Sequence, residues 1–307
     1  MNFGTVLSCS FIAIWLLALF SNNQVLVDML LINAAVQIAL FLCVACIPYL
    51  LTDRMSYVDI AWPFGVAVIG VLIILLGDGD FLRRAIVGGV YLMIGLRMGI
   101  GALTMAKTTG VIVKTEFPRY VYRRMVFEKT SKNHIKYHSL AEMMAQGFAN
   151  ISVLAFPGFL IALNDSNSIS VLEILGMIVW LLAYIMESTA DTQKLLFISK
   201  NSGGVCDIGL WRYSRHPNYF SEWLVWTGVV LAAIPSWIAL SEVEQTYTWL
   251  LLGIGSIGAS VMMYITLIYL TGAIPSEYYS IRKRPEYKAY QKRTNMFFPG
   301  RPNKNET

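Results

Sequence analysis

Long apolar runs separated by short polar connections set the pattern of this 307-residue chain. A membrane-crossing helix needs about 20 mostly apolar residues, because hydrocarbon offers no partner to an unpaired backbone group. Eight stretches reach or approach that length: roughly 3–20, 30–51, 60–76, 85–106, 144–163, 170–187, 222–240 and 248–270. They predict an all-α, polytopic transmembrane helix bundle of seven or eight spans. The first run, Met1–Phe20, has neither a basic segment ahead of it nor a small-residue cleavage site behind it, so it reads as a retained helix and not a signal peptide. The longest polar stretch, 107–139, mixes basic, aromatic and apolar residues, which predicts an ordered helix pair.

Composition agrees with that pattern. Hydrophobic residues make up 56% of the chain and charged ones 14%, against roughly a quarter charged in soluble domains. The formal net charge is +5, but no basic residues gather on one soluble motif, which excludes a nucleic-acid partner. They lie between the apolar runs: eight in 107–139, four in 188–219 and eight after 270, out of 24 in all. The connections 164–169 and 241–247 carry Asp165, Glu242 and Glu244 and no Lys or Arg. The positive-inside rule then predicts that the three basic segments and the C-terminus are cytosolic, in the endoplasmic reticulum of a eukaryote or the inner membrane of a bacterium. The same charges suit anionic membrane lipids.

Four cysteines are present, and Cys43 and Cys46 form a C-x-x-C inside an apolar run with no second ligand pair, so they read as packed or lipid-facing thiols. His134 and His138 stand four residues apart in a basic loop; with no third ligand nearby they read as solvated surface and not as a metal site. Trp15, Trp180, Trp237 and Trp249 fall near expected helix ends and read as interfacial belt residues.

The chemistry concentrates in Glu187–Trp226. Glu187, Asp191 and Lys194 share one helix face. A glycine turn, Ser202-Gly203-Gly204, follows, and then Gly209-Leu210-Trp211-Arg212-Tyr213-Ser214-Arg215-His216-Pro217-Asn218-Tyr219, where Pro217 suits the opening of a helix. Arg212, Arg215 and His216 at that helix start form an expected anion site; binding lipid headgroups is the plainer alternative. Glu222 changes the balance, because an ionisable group inside a membrane bundle is costly and marks function by default. Arg97, mid-span, is expected to pair with Asp59 or Glu187 or to reach a cofactor phosphate.

The blocks A-D-x-Q-K-x-x-F at Ala190–Phe197, G-L-W-R-Y-S-R-H-P-N-Y-F-x-E at Gly209–Glu222 and R-P-E-Y-K-A-Y-Q-K-R-T-N-M-F-F-P at Arg284–Pro299, with V-D-I-A-W at Val58–Trp62 and P-R-Y at Pro118–Tyr120, resemble an uncharacterised membrane family related to the steroid 5α-reductase C-terminal domain. The resemblance covers roughly residues 30–300. It divides the chain into an extra N-terminal segment, 1–29, and a reductase-like membrane domain, 30–307. It implies an NADPH-dependent reductase acting on a C=C bond of a lipid-like enone of steroid, sterol or acyl type. It also implies that Asp191, Lys194, Arg212, Arg215, His216, Asn218, Tyr219 and Tyr290 bind the cofactor, and that Glu222 and Asp59 are catalytic, one of them donating a hydrogen bond to the substrate carbonyl. No metal is implied, and the absence of G-x-G-x-x-G argues against a Rossmann site. R-H-P-x-Y with the E-Y-x-x-Y-x-x-R type of tail also resembles isoprenylcysteine and phospholipid methyltransferases, which makes an S-adenosylmethionine enzyme the alternative.

The charge pattern sets a topology test. A reporter inserted in 164–169 and one fused to the C-terminus are expected on opposite sides of the membrane, the second in the cytosol; labelling both from the same side overturns the orientation.

Overall fold

The computed structural model describes residues 3–130, 134–200 and 203–303. Lys132, Ser202 and Lys304, which entered the charge and turn readings, lie outside the described residues. The elements are α1 (Phe3–Ala18), α2 (Gln24–Phe41, running on through a π-helical turn Leu42–Cys46 to Thr52), α3 (Val58–Leu76), α4 (Phe81–Thr109), α5 (Pro118–Thr130), α6 (Ile135–Ile151), α7 (Phe156–Ala162), α8 (Val171–Lys200), α9 (Pro217–Ala239), α10 (Thr246–Ile265, prolonged by a π-helical turn Thr266–Leu270), α11 (Ala273–Lys283) and α12 (Tyr287–Arg293). No β-strand occurs among the described residues.

Seven helical stretches among the described residues are long and apolar enough to cross a membrane, and the protein is an integral membrane protein. α1 is the shorter one, with 16 residues; at 1.5 Å per residue it spans about 24 Å, less than a typical hydrocarbon core. The expected helix pair in 107–139 is present as α5 and the start of α6. Other ends shift from the sequence reading: α8 runs past residue 187 to Lys200, and α6 begins at Ile135. Periodicity marks where hydrocarbon begins and not where a helix stops, so polar extensions escape it.

Two compact units form. One holds residues up to Ile174 with Val230–Ala259; the other holds Leu175–Val229 with the chain from Ser260 onward. In the first unit a cluster of Phe41, Tyr49, Met55, Val58, Tyr120, Phe127 and Met143 forms the apolar core. Several of the unit's charged groups are paired internally. Arg83 pairs with Glu173 at 2.7 Å, and Arg84 donates to the carbonyls of Gly79, Ile74 and Gly77; these two basic residues are bound up with protein, so they do not weigh as loop charges. Arg123 Nε lies 2.8 Å from Glu142.

The span Ile135–Ala162 is interrupted at 152–155. Asn33 donates to the Asn150 carbonyl at 3.0 Å, Gln37 to the Gly65 carbonyl at 2.8 Å, Asn150 to the Trp62 carbonyl at 3.1 Å, and the Tyr91 hydroxyl to the Leu154 carbonyl at 2.7 Å. The Asn33 amide and the Tyr91 hydroxyl thus supply partners beside the point where the helix ladder lapses, as hydrocarbon demands.

The four tryptophans expected as belt residues all make contacts within the protein. Trp237 and Trp249 stack at 4.6 Å and each donates its indole N–H to the other's carbonyl at 2.8 Å, stapling the turn between α9 and α10. Trp180 is buried within α8. Trp15 is half-buried and donates to the Leu30 carbonyl at 3.3 Å.

In the second unit α8 and α9 meet closely at Gly228, where an added Cβ would lie 2.6 Å from the Trp180 nitrogen and 2.7 Å from the Gly176 carbonyl oxygen. Both neighbours are backbone, so one helix must move to admit a side chain. Gly228→Ala is expected to cost about 1–3 kcal/mol, the scale of overpacking, read as a lowered melting temperature in detergent. Gly101→Ala, whose Cβ would meet open space, is the control expected to leave it unchanged.

Candidate functional site

The blocks A-D-x-Q-K and G-L-W-R-Y-S-R-H-P-N-Y-F interlock, nearly residue for residue, within the second unit. The Ala190 carbonyl accepts the Trp211 indole N–H at 2.9 Å. Gln193 Oε1 accepts the Leu210 backbone N–H at 2.9 Å. That approach is so tight that a Cβ on Gly209, which has φ +54, would lie 2.5 Å from the Gln193 amide; both the left-handed backbone and the space call for glycine. Lys194 Nζ sits 4.4 Å from the centre of the Trp211 ring, within cation–π range. One turn earlier Asp191 Oδ1 accepts Asn218 Nδ2 at 3.2 Å. The end of α8 therefore acts as a template on which the loop before α9 is laid.

Pro217 opens α9, and the Ser214 hydroxyl accepts the His216 backbone N–H at 3.2 Å. Asn218 and Glu222, four residues apart, then share one face of α9. Asn218 Oδ1 is enclosed without a hydrogen-bond partner. Glu222 is buried, as is Glu187 on α8.

Four of the expected cofactor ligands are engaged elsewhere. Arg215 is buried; Nε donates to Glu277 at 2.6 Å, Nη2 to the same carboxylate at 3.1 Å, and Nη1 to the carbonyls of Gln291 and Thr294. Nearly all its donors are spent on protein, so it is a structural clamp and not an open phosphate ligand. His216 Nε2 lies 3.1 Å from the same Glu277. Burial lowers the His216 imidazole below its usual value, against the pull of Glu277, so the ring is neutral and brings no cation to a phosphate. Tyr290 donates to the carbonyls of Trp211 and Ser214, and burial raises its phenol well above the usual range, keeping it a donor. Tyr219 stacks on His216 at 5.2 Å, its hydroxyl 3.4 Å from that of Ser276. Of the expected cations, Lys194 and Arg212 remain, and Arg212 exposes its side chain.

Glu277 is the residue that the sequence reading passed over. It collects Arg215, His216, Gln291 Nε2 at 2.6 Å and the Tyr287 hydroxyl at 3.4 Å. One signal was available: Glu277 is the sole carboxylate in 245–285, set just ahead of the basic run Arg282-Lys283-Arg284. The C-terminal tail completes the clamp, since the Asn295 carbonyl accepts the Arg215 backbone N–H at 2.8 Å and the Phe297 carbonyl accepts the Ser214 hydroxyl at 2.9 Å.

In the first unit Asp59 accepts Arg119 Nη2 and the Tyr120 hydroxyl, both at 2.6 Å. A carboxylate so held is an acceptor toward both groups, and Arg119 is a cation paired with it. His134 is exposed as expected, but His138 is buried against the rings of Phe127 and Tyr137 at 5.7 Å each. No group of three potential metal ligands occurs among the described residues.

A family model described as "Protein of unknown function (DUF1295)" matches residues 47–294. No curated protein and no solved structure matches the chain.

The clamp makes a direct prediction. Glu277→Gln leaves the buried Arg215 charge uncompensated and is expected to cost about 3–5 kcal/mol, whereas the double variant Glu277→Gln with Arg215→Met is expected to recover most of that. Equal loss in the single and double variants, by melting temperature, would show that the pair does not stabilise the loop.

Proposed function

The chain belongs to the DUF1295 family, and from that premise we propose that it is a membrane-embedded, NADPH-dependent reductase acting on the C=C bond of a lipid-like enone, akin to the steroid 5α-reductases. The observation that carries the reading is Asn218. Its amide is held by Asp191 on one side, while Oδ1 stays buried and unpartnered. Buried acceptors are ordinarily paired, so this one suits a ligand N–H such as that of a carboxamide.

The residues that would hold the cofactor follow from what is not already spent. Asn218 accepts from it, Asp191 orients Asn218, and Lys194 and Arg212 face its phosphates. Arg215, His216 and Tyr290 act indirectly, by holding the loop that ends in Asn218. Bound there, NADPH supplies a hydride to the β-carbon of the enone. Glu222, one turn further along α9 and buried, is the carboxyl placed to hold a proton toward the substrate carbonyl oxygen.

Thermal stabilisation in detergent tests this reading. NADPH is expected to raise the melting temperature. Asn218→Leu is expected to remove most of that shift, and Glu222→Gln to keep it while turnover of an enone falls about a hundredfold or more. Stabilisation by S-adenosylmethionine and not by NADPH would assign the protein to the methyltransferases instead.

A further inference from the structure

The last turns of α4 and the bend that follows them enclose a cavity of about 440 Å³, whose lining includes Leu103, Lys107, Thr109, Gly110, Val113 and Lys114 and no carboxylate. The neighbouring arginines of α5 are spent on protein: Arg119 on Asp59, Arg123 on Glu142 and Arg124 on Glu116. Lys107 and Lys114 are exposed, and neither forms an ion pair among the described residues. Nor is either needed to close the helix. The Thr104 and Met105 carbonyls accept the hydroxyls of Thr108 and Thr109 at 2.8 Å each, and the Ala106 carbonyl accepts the Gly110 N–H at 3.1 Å. The orphan acceptors of that helix end are thus supplied, and two like charges at one cavity are left to draw an anion.

The bend that brings Lys114 back is held in an unfavourable backbone shape. Ile112 has φ +81 and is fully buried, a conformation that β-branched residues avoid. Its N–H donates to the Thr115 carbonyl at 2.9 Å, and the Lys114 N–H donates to the Gly110 carbonyl at 2.7 Å. Lys114 is thereby laid over Gly110, where an added Cβ would lie 3.1 Å from the lysine Cδ. Strain of this kind persists where the surroundings over-determine it, as at ligand clamps. On the hydrocarbon side of the cavity, Met93, Leu96, Ile100 and Leu103 are 45%, 39%, 56% and 45% exposed. They form one stripe at helical spacing, which leads to Lys107 over about 20 Å. A lipid that merely surrounds the protein needs only such a stripe; the cavity and the cation pair at its head add a seat for a charged headgroup.

We propose that this cavity binds one anionic phospholipid of the cytosolic leaflet, with its phosphate between Lys107 and Lys114 and one acyl chain along Met93, Leu96, Ile100 and Leu103. The leaflet follows from the basic side of the chain, where anionic lipids attract lysines near the surface. A choline headgroup sets its own cation beside the phosphate and meets the two ammonium groups with repulsion, so the site discriminates by headgroup charge. The cavity belongs to the first unit, whereas Asn218 and Glu222 belong to the second, and the lipid site stands or falls independently of the reductase reading.

Native mass spectrometry of the full-length protein in detergent, titrated with dioleoyl phosphatidylglycerol or dioleoyl phosphatidylcholine, reads the affinity of the first lipid bound. The wild type is expected to hold phosphatidylglycerol about tenfold more tightly, the scale set by two lysines near the surface. Lys107→Gln with Lys114→Gln is expected to abolish that preference and to keep the lipid-free melting temperature, because both side chains are exposed. Lys107→Arg with Lys114→Arg keeps the charges and is expected to retain the preference. So is Lys288→Gln with Lys292→Gln, which removes two exposed lysines elsewhere. Glycerol 3-phosphate at the same concentration is expected not to displace the lipid. Equal binding of the two lipids by the wild type, a preference that survives in the double glutamine variant at 107 and 114, or one lost equally in the variant at 288 and 292 each overturns the proposal. Displacement by glycerol 3-phosphate overturns it as well, by assigning the cavity to a soluble phosphate ester.

Discussion

The carboxylate of Glu277 is the interaction on which the second unit depends. A guanidinium and an imidazole from the loop before α9, an amide and a phenol from α12, and the backbone of the tail all converge on it or on its partner Arg215. Burying that many polar groups is tolerable only because each finds a counterpart, and removing any one exposes the rest to the cost of an unpaired charge. The result is a loop of fixed shape in which Asn218 cannot drift from Asp191. The groups that most resemble phosphate ligands in the sequence are the ones that make the site rigid; the residues left to meet a ligand are fewer and less conspicuous.

Much of the fold could be read from the chain itself. Runs of about 20 apolar residues have one solution in lipid, so the spans emerged at nearly their true places. The last turn of α8, residues 195–200, was hidden, because past the hydrocarbon boundary polar residues no longer mark the end of a helix. The tie of Arg215 and His216 to Glu277 was hidden for a related reason: that partner lies 62 and 61 positions away, beyond any local pattern. Asp59 carried the same ambiguity, since nothing near it in sequence announces Arg119 and Tyr120. Trp237 and Trp249 sit where belt residues would, and only their reciprocal hydrogen bonds show that they hold each other.

The positions of Asp191, Asn218 and Glu222 within one unit follow directly from the two motifs, because A-D-x-Q-K is the surface onto which G-L-W folds. Each residue of the first block has a defined task in receiving the second: Ala190 by its carbonyl, Gln193 by its amide, Lys194 by charge against a ring. Gly209 and Trp211 are fixed in identity by that fit, the first by space and the second by its indole N–H.

The interrupted helix of the first unit bears on how the protein enters a membrane. The Ile135–Ala162 stretch has the lowest mean hydropathy of the seven candidate spans, 1.5, and 83% of its most apolar window is buried against protein. Such a segment gains little from lipid alone, and with its helical ladder broken at 152–155 it would carry open backbone groups into hydrocarbon if it partitioned by itself. Its amide partners Asn33 and Gln37 lie on α2, which is made earlier, and its carbonyl partner at Trp62 lies on α3. Order of synthesis thus becomes a structural requirement: the first spans form the solvent into which the fourth is delivered, and the segment can settle only where those helices are already waiting.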